Sequence, residues 1–209
     1  MDRNKILYGN LRKAGILIFI GVAQFAIFLM VAEALFPNYS VSNNYISDLG
    51  AICNRPPASK NSCVFVQPSS MIFNSSIIIL GILLILSSYY FLNSRVNRAI
   101  PIMIILSGIG CIGVGIFTEA TGIIHGIFSL ITFLSIGILA IIAYIIQGSP
   151  MKYFSIIAGI VTLIALALYI NGIYLGLGFG GMERMIVYPV MIWSLAFSGY
   201  LMGLGEKTK

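Results

Sequence analysis

The sequence predicts an all-α, polytopic transmembrane bundle of about six helices. Three observations carry that expectation. The 209 residues are 59% hydrophobic and only 9% charged, with a mean hydropathy of +1.01, too few charges for a water-facing globule of this size. Six long apolar windows follow one another with short polar breaks, and a span needs roughly 20 apolar residues. The Lys and Arg residues fall in alternate breaks, as the positive-inside rule requires.

The windows place helices at about 14–36, 70–92, 100–118, 123–146, 152–174 and 184–204, within a single transmembrane domain covering 1–209. The first follows Arg3, Lys5, Arg12 and Lys13 and ends before Pro37. Its apolar run is too long for a signal-peptide core of about 7–15 residues, so the Ala32-Glu33-Ala34 pattern reads as helix and not as a cleavage site. Asn93-Ser94-Arg95 to Arg98 separates the second window from the third, and Gly148-Ser149-Pro150 the fourth from the fifth.

With the N-terminus inside, nine of the twelve Lys and Arg residues are cytoplasmic, and only Arg55, Lys60 and Arg184 fall outside. Both termini are therefore expected in the cytoplasm of a cell-membrane protein. The basic residues do not gather on one surface, so a net charge of +6 marks topology and excludes nucleic acid as a partner.

Residues 37–69 form the long outer connection, rich in Asn, Ser and Pro, and are expected to be an irregular cap. Cys53 and Cys63 lie in it, ten residues apart, and are expected to form a disulfide in that oxidising compartment. Cys111 reads as a small buried residue in the third helix. Asn38-Tyr39-Ser40 and Asn74-Ser75-Ser76 match the glycosylation sequon, the second of them within a helix. Gly108, Gly110 and Gly113, and again Gly176, Gly178 and Gly181, fit a dinucleotide fingerprint, but no strand precedes either set. The first set reads as helix packing and the second as a flexible turn before helix six. The two halves of the chain share no alignable repeat.

The ionisable residues divide unevenly. Glu33, Asp48, Glu119, Glu183, His125 and Arg184 all map to the outer side, with Asn74 near the start of helix two. Such groups are costly in hydrocarbon, so they turn toward the bundle interior, a cavity or the interface. Ser107, Cys111, Gly115 and Glu119 recur every four residues, which carries Glu119 to the inner wall of an outward-facing pocket. His125, Ser129 and Thr132 share a face of helix four, and the short turn makes Glu119 and His125 neighbours.

A carboxylate beside a lone histidine suits general acid/base work, with Asp48 supplying a second carboxylate. Arg184 suits an anionic headgroup, and Asn74 and Glu183 complete the binding set. Plainer roles stand beside these: Arg184 neutralising Glu119 or Asp48, Glu183 marking a helix start, Glu33 reaching the interface, Asp48 capping a turn. One histidine without a paired ligand disfavours a zinc hydrolase, while a carboxylate-held divalent cation stays open. The residues specify no cofactor.

Ser47-Asp48-Leu49-Gly50, Phe73-Asn74, Gly113-Val114-Gly115-Ile116-Phe117, His125 and Glu183-Arg184 together resemble a family of archaeal and bacterial multi-pass membrane proteins known as domain of unknown function 998. A proline often follows the phenylalanine of the third block in that family, where Thr118 stands here. The resemblance implies the architecture and the choice of site residues, and no reaction. Two functional expectations result: an enzyme acting on a lipid or lipid-linked polar group at the outer leaflet, or a non-enzymatic protein. The second class covers a small-solute or proton-coupled transporter and an accessory subunit with a protein partner or a second copy.

Overall fold

The computed structural model describes residues 3–53, 63–94 and 96–204. The basic residues Arg55, Lys60, Arg95, Lys207 and Lys209, which help orient the chain in sequence, lie outside these. Six long helices make up the fold: α1 (Arg3–Leu35), α2 (Ser69–Leu92), α3 (Ala99–Ile116), α4 (Ile123–Ile142), α5 (Met151–Ile170) and α6 (Gly178–Leu204). All six contain stretches long and apolar enough to cross a membrane. The protein is an integral, multi-pass helical bundle.

Several boundaries differ from the sequence expectation for physical reasons. α1 starts at Arg3, so the basic segment before residue 14 continues the helix. α3 stops at Ile116 because Phe117 leaves helical geometry (φ −98°, ψ 81°) and Thr118 is extended. α5 stops at Ile170, not 174, where Asn171 donates its side-chain amide to the Ala167 carbonyl at 2.8 Å and Gly172 adopts φ +70°. α6 begins at Gly178 rather than 184, so Gly178, Gly180 and Gly181 belong to its first turns. These glycines seat the cap: the Gly180 N–H donates to Ser42 O at 3.0 Å. A Cβ at Gly178 or Gly180 would overlap the carbonyls of Ser42 and Asn44.

Successive helices pack side by side and α6 returns to α1, closing a ring; α4 also touches α6, which leaves α5 on the outside. Close approach is achieved by glycine, as expected where lipid removes any hydrophobic drive between helices. Gly81 of α2 and Gly108 of α3 face each other, and a Cβ on either would stand 2.5–2.7 Å from the other's carbonyl oxygen. The contact recurs in α4 and α5, where a Cβ on Gly159 would meet the Gly137 carbonyl at 2.6 Å. In all four helices an Ile or Leu four residues on (Ile85, Ile112, Ile141, Leu163) fills the flank of the glycine contact. This packing repeat is not evident from aligning the two halves. Pro189 lies inside α6, and on that turn the Thr162 hydroxyl of α5 donates to Ile186 O at 3.0 Å.

The long connection between α1 and α2 caps one end of the ring. It holds a 3-10 turn at Ser47–Leu49 and a two-stranded antiparallel pair, β1 (Ile52–Cys53) with β2 (Cys63–Val64). Cys53 and Cys63 form the expected disulfide. Two serines tie the start of α2 to its surroundings, Ser70 donating to Gly50 O of the cap at 2.6 Å and Ser69 to Ala32 O of α1 at 2.9 Å. Farther along α6, Trp193 and Phe197 stack in the bundle interior, with the Trp193 indole N–H donating to Ser155 Oγ at 2.6 Å.

Candidate functional site

The polar residues singled out in sequence all lie at the capped end, on five structures: the last turns of α1, the cap, the first turns of α2, the α3–α4 corner and the first turns of α6. Arg184, only 4% exposed, sits nearly two helical turns into α6. Its Nη1 donates to the carbonyls of Val41 (2.9 Å), Asn44 (3.1 Å) and Gly180 (3.0 Å). Its Nη2 donates to Glu33 Oε1 at 2.5 Å and to the Tyr39 hydroxyl at 2.7 Å. The ion-pair partner is thus Glu33, from the last turns of α1. Tyr39 passes the network on by donating to Tyr45 O at 2.9 Å, and burial pushes its phenol well above the ordinary range, holding it neutral. The guanidinium is committed to the cap, α1 and α6 through its two terminal nitrogens.

Glu183, 5% exposed, accepts from Ile46 N at 2.5 Å through Oε2. Asp48, 1% exposed, accepts from the Asn44 side chain at 3.0 Å and from Tyr45 N at 2.9 Å through one oxygen. That is turn capping: a carboxylate collecting backbone and amide donors within its own loop. Residues 41–48 are therefore laced to α6 by Arg184 and Glu183 and laced to themselves by Asp48.

Glu119 lies off the helix, in a 3-10 turn at Glu119–Thr121 that packs beside β1. The four-residue stripe of α3 therefore ends at Gly115 and does not carry Glu119. His125 opens α4, and its Nδ1 lies 2.8 Å from the Phe117 carbonyl, closing the α3–α4 corner. A carbonyl only accepts, so Nδ1 carries a proton, and in the neutral imidazole Nε2 then holds the lone pair. Asn74 on α2 donates to Gly50 O at 3.2 Å, while its buried Oδ1 takes no hydrogen bond. Among the described residues no three His, Cys, Asp or Glu side chains gather as a metal site.

Beneath the cap is a cavity of about 110 Å³, walled by α1, α2, α3, α4 and α6. Glu183, Ile46 and Ser47 stand at its capped end, and Leu84, Ser107 and Ser194 at its far end. From 183 to 194 along α6 is about 16 Å at 1.5 Å per residue, so the cavity is a narrow slot reaching mid-bundle. Its wall is mostly aliphatic and aromatic. Ser107 and Ser135 bond each other at 2.8 Å and Thr132 donates to Phe128 O at 2.9 Å, so these hydroxyls are satisfied within the protein. The half-buried wall residues are Ser47 and members of α4 and α6, such as Ser129, Phe133, Val187 and Met191.

The slot was not legible in sequence, although two parts of its wall were: Ser107 and Cys111 on α3, and Ser129 and Thr132 on α4. Tyr39, Asn44 and Tyr45 were missed, and their only signal is an Asn/Tyr-rich loop beside buried acids. A family profile described as "Protein of unknown function (DUF998)" matches residues 19–200, and the chain belongs to that family. No curated protein and no solved structure matches it.

Proposed function

We propose that this DUF998-family member takes up an amphipathic membrane lipid, seating a stretch of its chain in the slot and holding its polar head at the capped end. The observation that carries this reading is the slot: a narrow apolar cavity in the bundle interior with one buried carboxylate at its capped end. An apolar cavity of comparable size, about 150 Å³, stays dry and accepts apolar guests. Neutral, internally satisfied hydroxyls at mid-depth offer little to an ion. The chain enters from the side of α4 and α6, where the wall is half-buried. The capped end faces the cell exterior, supported by the distribution of Lys and Arg in the sequence and by the disulfide. A reporter fused to the C-terminus is expected to be active only on the cytoplasmic side, and external activity would reverse the orientation.

The experiment is lipid analysis of purified protein. Wild-type protein in a neutral maltoside detergent is expected to retain a defined lipid by mass spectrometry. Val187→Phe, which adds a ring to the slot wall, is expected to lose it at unchanged melting temperature. Equal lipid retention by the two would overturn the reading.

One observation favours an enzyme. His125 is anchored through Nδ1 with its basic nitrogen left over, on the same face of α4 as Ser129 and Thr132 of the slot, and Glu119 belongs to the turn before it. In that reading His125 and Glu119 do acid/base work on the lipid head, and Asp48, Glu183, Asn74 and Arg184 position the cap. His125→Gln is then expected to accumulate an unprocessed lipid absent from wild type. Identical lipid profiles would leave a lipid carrier without chemistry.

A further inference from the structure

The slot has an end as well as walls. Its residues farthest from the cap are Val22 of α1, Leu84 of α2, Ser107 of α3, Ile136 of α4 and Ser194 of α6. One turn farther along, at the three- or four-residue spacing that keeps a helix face, stand Ile18, Ser88, Ile104, Leu139 and Phe197. All five are buried, and none of them lines the slot. The bundle is therefore packed solid immediately beyond the slot on every wall helix.

The centre of that packing is aromatic. Phe197 follows Ser194 by three residues, and its ring lies near-parallel to Trp193 (centroids 5.0 Å apart, planes at 12°) and to Phe91 of α2 (6.3 Å, 14°). Phe91, Trp193 and Phe197 are among the largest fully buried side chains of the protein. Trp193 is fixed in turn: its indole N–H donates to Ser155 Oγ of α5, whose hydroxyl donates to Gln147 Oε1 in the α4–α5 connection. Rings held in this way cannot reshape as a flexible Met would to lengthen a pocket. The stack is a floor.

The depth above this floor is the same on two walls. α2 lines the slot from Phe73 to Leu84 and α6 from Glu183 to Ser194, each about 16 Å at 1.5 Å per residue. That is close to one leaflet, half of a hydrocarbon core of about 30 Å. An extended peptide advances about 3.6 Å per three bonds, and an extended alkyl chain likewise gains roughly 1.2 Å per bond, so about thirteen carbons span the slot.

We infer that the stacked rings of Phe91, Trp193 and Phe197 set the length of chain the slot accepts, so that its amphiphile is a medium-chain one with about thirteen carbons between head and methyl end. The inference rests on the lipid-binding reading above and adds the class of chain.

The test offers the full chain, in digitonin, an equimolar series of monoacylglycerols from about 8 to about 18 carbons long, bracketing that reach. Digitonin has no alkyl chain to compete. Lipid retained after gel filtration is measured by mass spectrometry and divided by each species' share in the micelles, which removes the general preference of longer chains for apolar surroundings. Wild type is expected to retain species of about 12 to 14 carbons best and the longest about tenfold less, the equivalent of 1.4 kcal/mol. Phe197→Ala lowers the floor by about 4.5 Å along α6 and is expected to move the optimum three to four carbons longer, at roughly 1.2 Å per bond. Ser194→Leu leaves the stack intact, fills the end of the slot from above and is expected to move the optimum about two carbons shorter. The second variant decides the matter if the first does not fold. Retention that stays level to the longest chain in wild type, or an optimum unmoved in folded Ser194→Leu protein, overturns the length limit and leaves the slot standing. Retention of no species by wild type removes the lipid-binding reading and the length limit with it.

Discussion

Arg184 draws the last turns of α1, the cap and α6 together through one guanidinium, with five hydrogen bonds among Val41, Asn44, Gly180, Glu33 and Tyr39. Removing one member of a buried ion pair leaves an uncompensated charge and costs about 3 kcal/mol or more. Glu33→Gln and Arg184→Met are each expected to lower unfolding stability in detergent by that order. The double variant is expected to recover part of the loss, because neither charge remains. Single variants within about 0.5 kcal/mol of wild type would show the pair to be dispensable. At this scale the sequence revealed which residues matter but not what they touch. Arg184 was legible as costly in a membrane, yet its partner Glu33 lies 151 positions away, and nothing local distinguishes it from Glu119 or Asp48. Asp48 and its turn were readable because the bond pattern is local, spanning three and four residues.

The helices themselves were largely legible, since twenty apolar residues in a row have few alternatives. Their ends were less so. Glu119 falls in phase with Ser107, Cys111 and Gly115, but α3 ends at Ile116, and phase carries no information beyond the end of the element that creates it. The glycines of α6 were read as a loop, although the cap docks on them and they begin the helix. The paired glycines make a sharper claim. A methyl group on Gly81 must displace the α3 backbone, whereas one on Gly126 of α4 meets nothing within 4 Å. Gly81→Ala is expected to cost about 1–3 kcal/mol through overpacking. Gly126→Ala is expected to be neutral or to gain up to about 1 kcal/mol from helix propensity. Thermal unfolding of the two variants checks the contrast, and equal effects would contradict the packing described for α2 and α3.

Across the whole molecule, hydropathy and charge placement determine that the chain is a membrane bundle, and they are properties of composition and order. The slot is different in kind. It arises because five helices, converging from α1, α2, α3, α4 and α6, leave a gap that no single helix records, and because α5 stands outside the ring. Glu183 stands at the capped end of the slot, which gives the molecule one polar pole above one apolar channel.

The most direct measurement is photo-crosslinking with an amphiphile bearing a diazirine near the end of its chain, using wild-type protein in lipid nanodiscs and mapping adducts by peptide mass spectrometry. Adducts are expected on the slot residues Cys111, Thr132 and Val187, suppressed by excess unlabelled amphiphile and absent in Val187→Phe. Adducts confined to outward-facing residues such as Ile127 and Ile160 would show the chain staying outside the ring, and would contradict a lipid-binding slot.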